Sequence, residues 1–423
     1  MTDARDLINN EVVELSKSNN AILLNHITGT GKTVSALKIA QTCNNPLTLI
    51  VHYETTHKEN IMKDIVQFGF NPDNYIFTTY KSIHKHTEKS YGAVIADEVH
   101  HITDISQKSF RKLVCEKFVA LSAEVPKPKL KLIYALCPKI FVHKVDLPKA
   151  IELGILPVPK IKLHWLELDD TIVKERLLIN IAKTETHTKW VKSYEEFEIA
   201  MNTPFKWIYQ FKANLTDKQY YEFIDKIYNS YTTQIEAVEA EILKKNQEII
   251  KNPSLRFVYD FNVLYKQIYD LRNYRKYKGN DRKTFVAETK SEYVKTLFNS
   301  LKGRKLTFTN SIHTANTVSK HHIHSKVKKE IVKQRIESFK QDQIQELSCV
   351  NMMKESHNIP NLKHVIYQQM IISSITEFIQ VRGRALRSDK TVLHLILMAN
   401  TIDETIIDIL IENKLLTKEQ KHE

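Results

Sequence analysis

The sequence has little of what holds stapled or membrane-embedded proteins together. Its four cysteines (Cys43, Cys115, Cys137, Cys349) lie far apart and form no Cys-x-x-Cys pair. That argues against a disulfide framework and against the usual thiolate zinc and iron–sulfur patterns. No apolar run reaches the roughly 18 residues a membrane-spanning helix needs, so no membrane partner is expected. The opening stretch, MTDARDLINNEVVEL, lacks the apolar core of a secretory signal. Together these absences predict a cytoplasmic protein, in the host cytoplasm if the source is viral. Acid is the scarcer charge, with 49 Asp and Glu against 62 Lys and Arg, a formal balance of +13. Excess charge bears on association rather than fold, and this sign favours a polyanionic partner such as nucleic acid. A compositional bias towards Lys, Asn and Ile would give the same balance.

A length of 423 residues with 42% hydrophobic content suits two or three packed domains. In the first 150 residues, short apolar runs alternate with amphipathic stretches. AILLNH (from Ala21), LTLIVH (from Leu47), YIFTTY (from Tyr75), GAVIADE (from Gly92) and FVALSA (from Phe118) read as strands. They are nearly continuously apolar, as parallel strands covered on both faces are. GKTVSALKIAQTC, THKENIMKDIVQFG and ISQKSFRKLVCEKF carry helical periodicity between them, predicting a doubly wound α/β domain. A second region of this kind begins near residue 295, with KLTFTN, ELSCVN, HVIYQQ and VLHLILMA as its strands. Two α/β domains create a cleft in which ligands commonly bind.

The middle differs. Ile224, Tyr228, Tyr231, Ile235, Val238 and Ile242 recur at alternating steps of four and three, the spacing of a coiled-coil seam. KNPS at 251–254 interrupts the pattern, which resumes through Phe257, Phe261, Leu264, Ile268 and Leu271. An antiparallel helical hairpin and an ordinary helical subdomain both satisfy this pattern.

Three stretches carry chemistry. NHITGTGKTVSA (Asn25–Ala36) follows a strand and opens a helix, where backbone N–H groups and the helix N-terminus grip phosphates. It ends as a phosphate-binding loop does, in Gly31-Lys32-Thr33, but His26 stands where the first glycine is usual. Gly29 and Gly31 permit close backbone approach, Lys32 suits the β and γ phosphates, and the Thr33 hydroxyl suits Mg²⁺. VIADEVHH ends a hydrophobic strand in Asp97-Glu98. Nucleotide hydrolysis needs one carboxylate on Mg²⁺, here Asp97, and one to position or deprotonate water, here Glu98. In IQVRGRALR, helical spacing brings Gln380, Arg384 and Arg387 to one face. There the guanidiniums could meet the γ-phosphate, although a basic surface helix has the same composition.

With these elements in this order, the chain resembles the superfamily 2 helicases and translocases, Asp97-Glu98-Val99-His100 reading as a DExH box. FVALSAE resembles the Ser-Ala-Thr motif, TTYKSI the first-domain Thr-Tyr motif, and KLTFTNSIHTAN the opening strand and turn of the second domain. VNMMKESHNIPNLKHVI resembles the segment that usually reads Glu-Gly-x-Asp/Asn-hydrophobic-Pro, and LPKAIELGILPVPKI a linker after the first domain. The resemblance covers residues 15–165 and 295–405 and implies two RecA-like domains, at 1–160 and 295–423. A linker and helical insertion would fill 161–294.

It implies ATP contacts from Thr28, Gly29, Thr30, Gly31, Lys32 and Thr33, and Mg²⁺ on Thr33 and Asp97. Glu98 becomes the catalytic base, and Gln380, Arg384 and Arg387 complete the site. His100, Ser122 and Ala123 would couple it to nucleic acid held near Thr79, Tyr80, Thr309, Asn310 and Ser311. Glu124 stands where threonine is usual and Ser356 where glycine is usual, and no upstream glutamine reads adenine unless Asn9 or Asn10 substitutes. The style of the linker and of the last motif favours DNA over RNA, as in repair, branch-migration and restriction-type members. A monomer is expected, with replication, repair or recombination proteins as partners. An RNA helicase and a non-hydrolysing adaptor on the same fold are the competing readings. DLRNYRKYKGNDRK adds Arg275 and Lys276 among tyrosines, either a nucleic-acid surface or a solvated basic helix end.

Overall fold

The computed structural model describes residues 4–53, 55–123, 125–155, 160–179, 188–193, 195–197, 199, 208–350, 361–369, 391–412 and 415–417. Helix α1 (Ala4–Ser18) leads into β1 (Ala21–His26), and strand and helix then alternate. The succession is α2 (Lys32–Ala40), β2 (Thr48–His52), α3 (Thr55–Gln67), β3 (Tyr75–Thr79) and β4 (Ser90–Ala96). After it come α4 (Asp104–Phe110), β5 (Val114–Ser122), α5 (Lys127–Leu136), β6 (Phe141–Val145) and α6 (Leu147–Glu152). All six strands pair in parallel, in the order β3-β2-β4-β5-β1-β6.

Alternation along one strand feeds two cores. Ile50 packs with Leu24, Leu37 and Ile95 on one side of the sheet. Its neighbours Leu49 and Val51 pack with Leu23, Val94 and Ala96 on the other. Burial on both faces is why these strands read as unbroken apolar runs.

The second sheet is also wholly parallel, but its edge comes from before the insertion. Strand β7 (Lys160–Leu166) lies in the stretch expected to be linker, yet it pairs through its whole length with the last strand among the described residues. Three short strands follow: β8 (Lys174–Ile179), β9 (Thr188–Trp190) and β10 (Ile208–Leu215), which form a small mixed sheet in the order β8-β10-β9. The insertion is therefore not purely helical.

Helix α7 (Asp217–Lys251) then runs for 35 residues, opened by a capping box in which Thr216 and Gln219 satisfy each other's backbone N–H groups. Pro253 starts the turn, and α8 (Phe261–Thr289) returns antiparallel. The seam contains Tyr231, Ile235, Val238, Leu264, Ile268 and Leu271, so the heptad spacing encodes a hairpin. Phe257 departs from the expected seam, because it sits in the turn and is 93% exposed.

Helix α9 (Ser291–Ser300) opens the second α/β unit. It continues as β11 (Lys305–Thr309), α10 (Ile312–Val318), β12 (His322–Ile323), α11 (Lys329–Lys340) and β13 (Glu346–Val350). Strands β14 (His364–Tyr367) and β15 (Val392–Met398) and helix α12 (Glu404–Glu412) complete it. The strand order is β12-β13-β11-β14-β15-β7. The core on this sheet reaches Ile8, Ile27, Val145 and Ile155 of the first unit. Among the described residues, no helix is long and apolar enough to cross a membrane.

Candidate functional site

The loop after β1 takes its shape from two glycines. Gly29 and Gly31 have φ of 96° and 87°, the left-handed region that penalises any side chain. A Cβ on Gly31 would touch nothing within 4 Å, so the demand there is conformational rather than steric. Thr30 is buried, and its hydroxyl donates to the Ile27 carbonyl at 2.8 Å. Arg5 on α1 donates to the Gly29 carbonyl at 3.2 Å. Behind the loop, the Ser35 hydroxyl donates to Asn9. Asn9 is thus engaged with α2 in the core, while Asn10 is exposed. The loop ends at α2, where Lys32 and a half-buried Thr33 occupy the first turn.

Strand β4 delivers two acids to the same place. The Asp97 N–H donates to the Val51 carbonyl at 2.8 Å, and Glu98 turns the chain with φ 48°. That conformation costs a non-glycine residue on the order of 1 kcal/mol, and such strain gathers at functional sites. Lys32 Nζ lies 3.3 Å from Glu98 Oε1. His57 Nδ1, on α3, lies 3.3 Å from Asp97 Oδ2, and both side chains are buried. Burial alone would raise the Asp97 pKa. The His57 hydrogen bond and the Lys32 charge outweigh it and hold the carboxyl below its ordinary range. His100 Nδ1 bridges the Ser122 hydroxyl at 3.0 Å and Glu98 Oε2 at 3.4 Å. The His100–Ser122 pair expected to couple sites is therefore in contact, with half-buried Ala123 beside it. His101 stacks flat on Tyr53, ring centroids 3.6 Å apart, and burial with the neighbouring His100 and His57 pushes its pKa down to about 4.

His26 extends the loop's support into the core. Its Nε2 meets His143 Nδ1 at 2.6 Å, and His143 Nε2 lies 3.3 Å from Glu11 on α1. Burial, then His143, Lys32 and Lys149, push the His26 pKa down to about 3. In place of a first glycine the chain thus has a neutral imidazole tying β1 to β6.

The expected strand-contact residues lie at the carboxyl ends of parallel strands, where open α/β sheets bind ligands. Thr79 is half-buried and donates to the Ser82 hydroxyl at 3.3 Å. Tyr80, expected near the nucleic acid, is buried, and its hydroxyl donates to the Asp97 carbonyl at 2.8 Å. Burial and the charges of Asp97 and Glu98 raise its pKa well above the phenol range. Thr309 is buried, Asn310 N–H donates to Gln368 at 3.0 Å, and Ser311 caps α10 through Thr314 N–H.

Arg275 is half-buried and Lys276 exposed on α8, but the tyrosine-basic run around them does not form one surface. Tyr274 packs in the hairpin seam, Lys278 is buried against the Ile179 carbonyl, and Arg282 pairs with Asp225 over the Tyr228 ring. Gln380, Arg384, Arg387, Glu124 and Ser356 lie outside the described residues. Among the described residues, no cluster of His, Cys, Asp and Glu has the form of a metal cage. His57, His143 and Glu11 were not anticipated, and nothing in their spacing marks them.

A family model for the helicase conserved C-terminal domain matches residues 280–389. The fold of the Pyrococcus furiosus Hef helicase domain matches as well, covering 97% of this chain and 99% of that one at 14% identity and a TM-score of 0.51. Residues 280–389 thus match the helicase C-terminal domain, and the chain as a whole shares the fold of the Hef helicase domain. Two other solved structures are similar to this chain at lower scores. A variant of Saccharomyces cerevisiae Dbp5 bound to RNA and ADP BeF3 is 10% identical over 93% of this chain and 83% of that one, with a TM-score of 0.48. The Sulfolobus solfataricus SWI2/SNF2 ATPase core in complex with dsDNA is 13% identical over 98% and 91%, with a TM-score of 0.32. No curated protein matches the chain. The C-terminal domain match begins inside α8, so the return helix of the hairpin and the second unit share one matched segment.

Proposed function

We propose that the protein is a nucleic-acid-stimulated ATPase of the DExH type that uses ATP to translocate along DNA or to unwind it. The observation that carries this reading is the convergence of Lys32, Asp97 and Glu98 at the end of a glycine-shaped loop, with Lys32 3.3 Å from Glu98. Residues present fit a nucleotide with its metal. Asn25 Oδ1 at the end of β1 and the Thr28 hydroxyl in the loop are buried polar atoms without a hydrogen-bond partner among the described residues, and a polar ligand in the loop would satisfy them. Thr33 and Asp97 would hold Mg²⁺, which when bound neutralises phosphate charge.

Lys32 would leave Glu98 for the phosphates, freeing that carboxylate to accept a proton from the attacking water. Backbone N–H groups of Gly29 to Thr33 would orient the phosphate chain at the α2 N-terminus. Gln380, Arg384 and Arg387 would meet the γ-phosphate from the second unit. His100, held by Glu98 and Ser122, would report the state of the nucleotide to nucleic acid crossing the strand ends at Thr79 and Asn310. DNA is favoured over RNA on the style of the motifs.

The test is ATP turnover with single-stranded, duplex, forked and branched DNA and with matched RNA, for wild type, Lys32→Ala and Glu98→Gln. Stimulation by DNA that both variants lose supports the reading. Turnover never exceeding that of the variants would mean a non-hydrolysing adaptor, and stimulation by RNA alone would reverse the choice of polymer.

A further inference from the structure

The seam of α7 and α8 stays packed as far as Ile242 and Phe261, while the outer half of the hairpin also carries apolar side chains on its surface. At about 1.5 Å per residue, a helix of this length reaches roughly 50 Å. On its outer half Leu243, Ile250, Phe257, Val258, Tyr265 and Tyr269 are between 56% and 93% exposed. Surface apolar residues are ordinary when scattered, whereas a contiguous set marks a binding surface.

Helical spacing makes this set contiguous. On α7, Glu239, Leu243 and Ile250 share one face, and on α8, Tyr265, Tyr269 and Arg272 share one face. Arg272 Nη2 lies 2.7 Å from Glu239 Oε1. That ion pair fixes both stripes on the same side of the hairpin, and Phe257 and Val258 stand at its end. The bordering charge is positive. From Glu241 to Lys266 the sequence has five Lys or Arg against three carboxylates. Those carboxylates are all engaged: Glu241 by Lys245, Glu248 by the Tyr259 hydroxyl and Asp260 by the Asn262 N–H. Lys244, Lys251, Arg256 and Lys266 are exposed.

Aromatic rings beside cations, with acid neutralised, match an unpaired strand, whose base faces and phosphates are both accessible. A second copy of the chain would set like charges against each other. We propose that this face of the arm is a stacking platform for single-stranded nucleic acid, with Phe257, Tyr265 and Tyr269 under the bases and Lys251, Arg256 and Lys266 on the phosphates. The proposal rests on the helicase reading for the class of partner and adds a second contact region remote from the strand ends.

The test is fluorescence anisotropy of the full chain with labelled oligothymidine, oligouridine and a blunt duplex of equal length. Combined Phe257→Ala, Tyr265→Ala and Tyr269→Ala is expected to weaken single-strand binding by about tenfold or more. Duplex affinity should change far less. Tyr265→Phe with Tyr269→Phe keeps the ring faces and should bind as wild type, and combined Lys251→Ala, Arg256→Ala and Lys266→Ala should flatten the salt dependence. Circular dichroism and the melting midpoint check folding of each variant. Unchanged affinity of the alanine variant for both single strands overturns the proposal. So does a shift in oligomeric state by light scattering without a loss of affinity, which would make the face a protein interface. Failure of the two readings is separable. Binding through the arm without stimulated ATP turnover defeats the helicase reading alone, and stimulated turnover with arm-independent binding defeats the platform alone.

Discussion

Lys32 Nζ and Glu98 Oε1 lie 3.3 Å apart, joining the first turn of α2 to the end of β4, 66 residues along the chain. The pair satisfies two charges beside the glycine-shaped loop. It also predicts which of the two residues governs binding and which governs turnover.

Glu98→Gln keeps the shape and a hydrogen bond to Lys32 but removes the proposed base. Turnover is expected to fall by about 10²- to 10⁴-fold, the range for a lost general base, while a fluorescent ATP analogue still binds. Lys32→Ala should instead weaken that binding directly. Equal loss of nucleotide binding in both variants would contradict these roles.

His57 holds Asp97 in the buried strand end. His57→Ala leaves a buried carboxylate short of a partner, at a cost of about 1–3 kcal/mol. Urea denaturation should show a lower midpoint at an unchanged slope, and His57→Asn should recover part of the loss. A midpoint equal to wild type would show that the contact contributes nothing.

Lys290 and Asp403 form a fully buried ion pair, the ammonium also donating to the Ile396 carbonyl at 2.8 Å and the Gln368 carbonyl at 3.2 Å. It fastens the end of the hairpin to the second sheet. Lys290→Met or Asp403→Asn alone strands a buried charge, expected to cost about 3–5 kcal/mol. Lys290→Met with Asp403→Asn should lose less than the sum of the single changes. Additive losses in a denaturation cycle would mean the two residues act independently.

Acid should destabilise the fold through two buried imidazoles. Burial, reinforced by neighbouring histidines and lysines, pushes His26 and His394 down to about 3. Between their ordinary value of 6.5 and about 3, the unfolded chain binds protons that the folded chain refuses. Stability is therefore fully present above pH 6.5 and falls as pH falls, by up to about 1.4 kcal/mol per pH unit for each group. Melting midpoints from pH 7.5 to 4.5 measure this slope. His26→Gln with His394→Gln should flatten it, and an unaltered slope would locate the acid sensitivity elsewhere.

The central strands, the glycine loop and the strand-end acid pair were legible because each is local. β2 and β4 are covered on both faces, so their residues are nearly all apolar, and the loop and the acid pair each occupy a few consecutive positions. Among the strands that escaped notice, β6 and β7 lie at sheet edges and mix buried with exposed residues, as in FVHKV and KIKLHWL. Partial burial weakens the apolar signal to that of a loop. The heptad spacing named the hairpin but left Phe257 in its seam, since periodicity cannot tell where a proline-started turn swings a side chain outward.

The sequence alone thus determined a glycine-shaped loop, a strand-end acid pair and two parallel sheets, each set by neighbours along the chain. Only the tertiary structure decided that His57 holds Asp97, that His26 and His143 tie β1 to β6, and that Tyr80 lies buried beneath the acids. It also decided that β7 crosses the insertion to join the second sheet. These depend on residues tens to hundreds of positions apart meeting at hydrogen-bond or strand-pairing distance, which long-range packing fixes and local spacing does not encode.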